Sequence, residues 1–389
     1  MKKNITIENE IIVIGRDHYN GLSVIRSLGE CGIKPIYVLI SDTDECMSSK
    51  SKYIKKLYII SEKKSEKLDD FLIKNFSRKN FKAILIPTGD PIEKFLDNNY
   101  TKLSKYFYLP NIDDKQGMIL KHMDKMYQHE LCTKNNVPIA KSYLINLKEK
   151  IDYLKFPKKV IIKPDISADG DKGDIVIAEG VEEIKKGIGK FKSKEYETVL
   201  VQEYLDYEME YAMMGFSYKG KVIIPGINSN DYIYPSNRGN TSFAEMFPIE
   251  DFKYDLTNIF KMVEQMNYTG LFEIEVFLCN DKIYFNEMNF RNSANLYGYT
   301  GDKVKYVYSY ILMLLNKDIS NIKHKVTKHY HFCIEPLHFK NVFEGRINFF
   351  KCLYHIIIST KVIYNIRDLK PTFTKYKYAI RKRLHKKGE

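Results

Sequence analysis

Two short runs in the second half of the chain carry the residue types best suited to chemistry. Phe272-Glu273-Ile274-Glu275-Val276-Phe277 and Ile283-Tyr284-Phe285-Asn286-Glu287-Met288-Asn289-Phe290-Arg291 have strand-like patterns, and Cys279-Asn280-Asp281-Lys282 between them has the composition of a tight turn. Alternation puts Glu273 and Glu275 on one face of the first strand, and Glu287, Asn289 and Arg291 on one face of the second. Glu287 and Asn289 lie twelve and fourteen residues beyond Glu275, and a hairpin brings all three together. Two carboxylates and an amide oxygen are the hard donors that Mg²⁺ prefers. Arg291 is suited to a transferring phosphate or a developing oxyanion. The alternative is a solvent-facing polar strip, but facing glutamates with no cation between them destabilise a strand pair. A metal is therefore expected here.

Three weaker features precede this hairpin. Val160-Ile161-Ile162-Lys163-Pro164 is a short apolar strand ending in a lysine, which alone reads equally as surface decoration. Residues 165–174 (D-I-S-A-D-G-D-K-G-D) supply glycines and small polar residues, the flexibility and free backbone N–H groups that a lid over phosphates needs. The four aspartates in that loop would repel phosphate unless a metal or lysine is near, and a plain hairpin loop is the alternative. Val199-Leu200-Val201-Gln202-Glu203-Tyr204-Leu205 is a strand running into a polar hinge followed by Glu208 and Glu210. An adenine can pair with backbone groups on such a hinge, and a carboxylate beside it can accept hydrogen bonds from ribose hydroxyls.

The elements that must position these groups are legible from the N-terminus onwards. Ile11 to Ile14 reads as a buried strand, and Pro35 to Ile40, Tyr58 to Ile60 and Ala83 to Pro87 as further strands, separated by helical stretches, one of them from Leu22 to Cys31. That alternation predicts a doubly wound parallel sheet over residues 1–112. Gly15 and Gly21 do not make G-x-G-x-x-G, so a nicotinamide site is not supported. Thr88-Gly89-Asp90 falls beyond the carboxyl end of a strand, where either a ligand or an ordinary loop sits. After Leu109-Pro110-Asn111-Ile112-Asp113, a helix is expected from about Lys115 to Asn135, broken by Gly117. From Lys159 the pattern becomes α+β, with Tyr218-Lys219-Gly220-Lys221 and Cys279 to Lys282 as tight turns between antiparallel strands. The expected fold class is thus α/β plus α+β.

Composition narrows the setting. The 389 residues are 44 % hydrophobic, enough for two or three packed units. The six cysteines are scattered without zinc-like spacing, as free thiols in a reducing compartment would be. Neither a signal peptide nor a membrane-spanning run is read, so a cytoplasmic protein is expected. Of the net charge of +13, most lies between Lys361 and Glu389, where ten Lys/Arg face two acidic residues. That run reads as a solvated tail. A second reading is a surface for anionic lipid at the inner membrane face, because an aromatic and aliphatic stretch from Phe349 to Tyr364 precedes it. Nucleic acid is not an expected partner, as it would rest on this tail alone.

Taken in order, the I-I-K-P strand, the glycine-containing loop, the V-Q-E-Y-L hinge and the E-x-N-x-R strand resemble the ATP-grasp superfamily over roughly residues 10–315. The likeness is to carboxylate–amine ligases related to carbamoyl-phosphate synthetase and biotin carboxylase. Residues 289–301 and Asp368-Leu369-Lys370-Pro371 are similar to D-aspartate ligases and to ligases of cell-surface polysaccharide loci, which implies a role in surface polysaccharide or cell-wall synthesis. The resemblance implies an N-terminal α/β domain (1–112), a first ATP-grasp lobe with the phosphate loop (113–205), a second lobe with the metal site (206–318) and a C-terminal extension with the basic tail (319–389). It makes Lys125 and Lys163 the lysines on the ATP phosphates. Gln202, Glu203, Tyr204 and Leu205 become the adenine hinge, and Glu210, with Glu208 as the near alternative, the ribose carboxylate. Glu275, Glu287 and Asn289 become the Mg²⁺ ligands, with Mn²⁺ as a substitute ion, and Arg291 lies beside the reacting groups. Arg238 is assigned to the substrate carboxylate or γ-phosphate. The loop 165–174 is more acidic than the family's glycine-rich version.

The expected activity is amide formation through an acyl phosphate, releasing ADP and phosphate, between an amine and a small-molecule or lipid-linked carboxylate; the look-alikes are commonly homodimers. Phosphoryl transfer to a non-carboxylate acceptor and a non-catalytic nucleotide-binding protein are the competing readings.

Overall fold

The computed structural model describes residues 7–43, 45–78, 80–164, 175–236 and 239–385. The chain opens with β1 (Ile11–Gly15), α1 (Tyr19–Gly29), β2 (Ile36–Ile40), β3 (Lys56–Ile60), α2 (Leu68–Phe76), β4 (Ala83–Pro87), α3 (Asp90–Asn98), α4 (Tyr100–Leu103) and β5 (Phe107–Tyr108). The five strands form a parallel sheet in the order β3-β2-β1-β4-β5. β1, β2 and β4 are buried along their whole length, which is why each is an unbroken apolar run rather than an alternating one. One face (Ile12, Ile14, Val38, Leu85) packs on Leu68, Leu72 and Phe76 of α2 and Leu96 of α3. The other (Val13, Leu39, Ile86) packs on Leu22, Ile25 and Leu28 of α1, and that core continues into Tyr297, Tyr299, Tyr306 and Ile311 of the later chain.

A second layer follows with β6 (Asn111–Ile112), α5 (Met118–Met123), α6 (Lys125–Lys134), β7 (Ser142–Asn146), β8 (Lys159–Lys163), β9 (Val176–Glu179), α7 (Gly180–Lys192) and β10 (Thr198–Glu203). Where the sequence suggests one helix over 115–135, there are two. Asp124 is extended (φ −66, ψ 125), and its side chain accepts the N–H of Tyr127 at 2.7 Å. An aspartate that can cap a new helix competes with continuing the old one, so the chain turns there and Lys125 becomes the first residue of α6. Strands β7-β10-β8-β9 make an antiparallel sheet, with Ile184, Ile188 and Phe191 of α7 packed on Val160, Ile162 and Val199.

The remainder comprises β11 (Met209–Tyr218), β12 (Lys221–Ile223), β13 (Ile227–Tyr234), β14 (Asn240–Phe247), α8 (Thr257–Gln265), β15 (Tyr268–Cys279), β16 (Lys282–Asn289), α9 (Tyr306–Leu314), β17 (Tyr330–Cys333), α10 (Glu335–Phe343), α11 (Phe349–Ile358), β18 (Thr360–Lys361) and α12 (Leu369–His385). They form a large sheet in the order β16-β15-β11-β13-β14-β17-β18, with β12 on β11 and β6 on β15. Both expected tight turns are present. Asn280 and Asp281 each have φ near +50, as do Lys219 and, at 76°, Gly220, the left-handed pair that a two-residue hairpin requires. Within the basic C-terminal run, Leu369–His385 form a helix, α12, and its start is anchored. Asp368 takes the guanidinium of Arg26 in α1, the Ser51 hydroxyl and the Lys52 N–H.

Candidate functional site

One cavity of about 730 Å³ opens where the three sheets meet, and most of the expected site residues line it. One end of it is built from strand and helix termini. Lys163 closes β8 and Lys125 opens α6, where its Nζ donates to the carbonyl of Pro164 at 3.2 Å. Burial, then the neighbouring Lys125, push the Lys163 ammonium down to about 8, while Glu287 and Glu275 pull the other way. The two lysines together concentrate positive potential that suits an anion.

Opposite them stand the carboxylates of β15 and β16. Glu275 faces Glu287 directly in the strand register, and Glu273 faces Asn289. A bulge separates these pairs from the rest of the hairpin: Val276 pairs with Phe285, leaving Asn286 as the extra residue. The bulge switches the parity of the apolar positions. Ile283 and Phe285 before it and Met288 and Phe290 after it all reach the same core, while Asn286 joins Glu287 at the cavity. The Asn286 Nδ2 donates to Glu275 Oε2 at 3.2 Å, and the Asn289 Nδ2 donates to Glu287 Oε1 at 3.4 Å and Glu273 Oε2 at 3.5 Å. Amide N–H groups thus stand where a cation would be needed to hold facing carboxylates together. The donor set fits Mg²⁺: two glutamates plus an asparagine whose oxygen turns inward when its amide rotates. Among the described residues there is no cluster of three or more His, Cys, Asp or Glu, so the amide is needed to complete the set.

Arg291 follows on the same face, but the N-terminal domain holds it. Its Nε donates to Asp90 Oδ1 at 2.6 Å and one terminal nitrogen to Asp90 Oδ2 at 3.3 Å. Burial opposes the guanidinium charge, yet Asp90, then Glu273 and Glu287, outweigh it and raise the pKa further. Asp90 is delivered by close packing at the end of the parallel sheet. The Thr88 N–H donates to the Ile14 carbonyl at 2.9 Å, and a Cβ on Gly15 would sit 1.9 Å from the Thr88 hydroxyl, so only glycine lets the 88–90 turn approach β1. The turn flagged in the sequence is therefore part of the site.

The other end of the cavity is a slot. Ile161, Ile177, Ala140 and Phe285 offer apolar walls beside Gln202, Glu203, Tyr204 and Leu205. The N–H of Glu203 is spent on the Lys141 carbonyl and that of Tyr204 on the Lys159 carbonyl, whereas Gln202 Nε2 donates to the Ser142 hydroxyl. Glu210 lines the cavity and accepts from Asn230 Nδ2 at 2.7 Å; Glu208 instead accepts the Asn280 N–H across the 279–282 turn and is not part of the lining. From Glu210 a directed chain of hydrogen bonds crosses the large sheet: Asn295 Nδ2 to the Thr241 hydroxyl, that hydroxyl to Asn230 Oδ1, and Asn230 to Glu210. His18 and Asn20 at the start of α1 complete the wall, with burial lowering His18 to about 4, so its ring is neutral at physiological pH. Asn286, Asn230, Thr241 and Asn295 also line this cavity although the sequence singled none of them out; Glu273 was read only as a neighbour of Glu275, and Asp90 only as part of a loop that could hold a ligand. The parity switch from 283/285 to 288/290 is the signal that marks Asn286. Arg238 and the loop 165–174 lie outside the described residues.

Comparison with known proteins places this geometry. The ATP-grasp domain family matches residues 130–295. Among solved structures, an N5-carboxyaminoimidazole ribonucleotide synthetase in complex with ADP superposes with a TM-score of 0.65 at 14 % identity, over 88 % of this chain and 86 % of that one. An L-amino acid ligase from Bacillus licheniformis gives 0.63 at 13 % identity, over 85 % and 81 %. The biotin carboxylase domain dimer of the Hydrogenobacter thermophilus 2-oxoglutarate carboxylase, with MgADP, ADP and bicarbonate, gives 0.62 at 16 %, over 84 % and 75 %. No curated protein matches.

Proposed function

With residues 130–295 forming an ATP-grasp domain, we propose that the chain is an ATP-dependent carboxylate–amine ligase that forms an amide through an acyl phosphate. The observation that carries this reading is convergence. Lys125 and Lys163, the carboxylate–amide set of Glu275, Glu287 and Asn289, and Arg291 all line one cavity, together with the apolar side chains of Ala140, Ile161 and Ile177. ATP would lie with adenine against Ile161 and Ile177 and the 202–205 hinge, ribose hydroxyls on Glu210, and phosphates towards the lysines.

The chemistry follows from charge. A carboxylate is a poor acceptor for an amine because its leaving group would be oxide, so one carboxylate oxygen attacks the γ-phosphorus and ADP departs. The amine nitrogen then attacks the acyl carbon, phosphate leaves, and the amine gives its proton to solvent or phosphate. Mg²⁺ on Glu275, Glu287 and Asn289 would screen the β- and γ-phosphates. Lys125 and Lys163 bind the phosphate oxygens, and Arg291 stabilises the charge on the acyl phosphate and on the oxyanion that follows. Asp90 keeps Arg291 aimed at the cavity. Arg238 is assigned to the substrate carboxylate, and the loop 165–174 to covering the intermediate against water.

The carboxylate is a small molecule or a lipid-linked intermediate of surface-polymer synthesis, the protein is cytoplasmic, and a homodimer is its proposed assembly. Mn²⁺ is expected to replace Mg²⁺ in part. The test is ADP and phosphate release with Mg²⁺ and ATP over pools of carboxylates and amines, wild type beside Glu287→Ala. Turnover requiring both partners and lost in the variant supports the ligase. A phosphoester product in place of an amide would make it a phosphotransferase, and absence of nucleotide binding would overturn the reading.

A further inference from the structure

The apolar stretch from Phe349 and the basic run from Lys361 play no part in the ligase reading, and they follow one another as α11, β18 and α12. α11 buries Cys352 and His355, while Phe350, Leu353, Tyr354 and Ile357 stand on its opposite side at helical spacing. Phe350 is 81 % exposed, Ile357 72 % and Tyr354 60 %, too much for side chains at the margin of a core. Ring contacts running from Phe343 through Phe339 and Phe349 to Phe350 make the patch continuous, and Phe343 is itself 73 % exposed. Scattered exposed apolar residues are ordinary, whereas a continuous face of this kind marks a contact.

The charge of the neighbouring helix narrows the partner. α11 leads directly into β18, which pairs with β17 through Thr360 and Lys361, and the Thr372 hydroxyl of α12 donates to the Ile363 carbonyl at 2.9 Å, so α12 starts close to the end of α11. On α12, Lys370, Phe373 and Lys377 are exposed and share a face at spacings of three and four. Lys351 is exposed on α11, and Lys361 sits at the C-terminal end of α11, its Nζ on the Ser359 carbonyl at 3.2 Å. Of the two acidic residues after Lys361, Asp368 is consumed by Arg26; Arg381 of α12 pairs with Glu45 of the N-terminal domain, and Lys370 and Lys377 carry exposed positive charge on that helix.

We propose that this face seats the protein on an anionic lipid bilayer. α11 lies in the plane of the interface with Phe350, Tyr354 and Ile357 among the headgroups and upper acyl chains, and Lys370 and Lys377 of α12 meet the lipid phosphates. Other occupants fit less well. A second copy would set one basic face against another. A nucleic acid would use the cations but gains nothing from the aliphatic Leu353 and Ile357, which cannot stack on bases. Among the described residues no helix is long and apolar enough to cross a membrane, so the contact is a surface seat and not a span. The inference is independent of the ligase reading.

The test uses the full chain, sedimented with phosphatidylcholine vesicles with and without phosphatidylglycerol, at low and high salt. Retention is expected only with the anionic lipid and should weaken with salt. Phe350→Ser/Ile357→Ser should lower the partition coefficient by about tenfold or more, and Lys370→Glu/Lys377→Glu by at least about tenfold. Circular dichroism should report an unchanged fold for both, since all four side chains are exposed. No retention, equal retention on neutral vesicles, or retention indifferent to both variants would overturn the proposal. So would a concentration-dependent dimer that Phe350→Ser/Ile357→Ser dissociates, because the face would then belong to a second copy.

Discussion

Two arginine–aspartate bridges tie the N-terminal domain to the later chain, and they differ in what surrounds them. Arg26 and Asp368 are 0 % and 1 % exposed, and the pair is saturated. The guanidinium reaches Asp368 Oδ2 and three carbonyls at 2.9–3.0 Å, while Ser51 and Lys52 satisfy the carboxylate. Arg291 and Asp90 are 17 % and 20 % exposed at the cavity edge. Beyond Asp90, Arg291 finds only the Asn292 carbonyl at 3.3 Å and Asn289 Oδ1 at 3.5 Å. The same ion pair, saturated and buried, is a clamp; left partly unsatisfied beside the cavity, it keeps donor capacity that the proposed function would direct at an incoming oxyanion. Satisfaction of the donors, more than the presence of the pair, separates structure from chemistry here.

The largest expected effects should separate the two completely. Arg291→Ala should lower kcat by about 10²–10³-fold, the usual cost of removing one donor from a developing oxyanion, with the melting temperature close to wild type. Arg26→Ala should do the reverse. It strands a buried carboxylate, a loss of about 3–5 kcal/mol, and denaturant melts should show it, while ATP turnover per folded molecule stays unchanged. If Arg26→Ala lost turnover in folded protein, or Arg291→Ala unfolded the chain, the contrast between the bridges would be wrong. Replacing both Arg26 and Asp368 by apolar residues should recover part of the stability, because the uncompensated charge is gone.

Neither bridge was legible in the sequence. Their partners are separated by 342 and 201 residues, and no periodicity links positions so distant. What could be read was local. β1, β2 and β4 are apolar runs because the sheet buries both their faces, and the Glu275–Glu287 hairpin is visible because its turn is two residues long with Asn and Asp where φ must be positive. Lys163 stood at a recognisable strand end. Asn286 escaped because a bulge adds a residue without changing composition, and Asp124 escaped because a capping aspartate within a helical pattern looks like any other polar residue. The basic tail read as solvated, since nothing near it in sequence foretells that Asp368 will be drawn to Arg26. Competition between local propensity and a distant partner is settled only in the folded chain.

A smaller effect tests how the site bridge is aimed. Asp90→Asn keeps the size and one acceptor but removes the charge that fixes Arg291. The expected outcome is a drop in kcat of about tenfold, roughly 1.4 kcal/mol, with KM for ATP little changed because the slot and lysines are untouched. Asp90→Glu should recover part of the rate if position matters as well as charge. A KM effect without a kcat effect would mean that Asp90 shapes ground-state binding and does not steer Arg291.

The smallest expected effect concerns the carboxyl beneath the same bridge. Glu93 lies on α3 one turn beyond Asp90, 1 % exposed, with neither oxygen hydrogen-bonded among the described residues. Burial, then Asp97 and Asp90, raise its pKa well above the ordinary glutamate value, with Arg291 acting in the opposite sense. The folded state therefore binds a proton at pH values where the unfolded chain has released it. In that window ν_U is smaller than ν_N, so stability falls as pH rises from the unfolded pKa towards the folded one. Glu93→Gln is neutral in both states and removes this slope. Its melting temperature should match wild type near pH 4 and exceed it by a few degrees at pH 7–8, where wild type must keep a proton on the buried carboxyl or bury its charge. A variant less stable than wild type at neutral pH would show instead that an ionised Glu93 shares Arg291 with Asp90. The site bridge would then be a three-residue network, closer in kind to the saturated clamp at Arg26 than its open edge suggests.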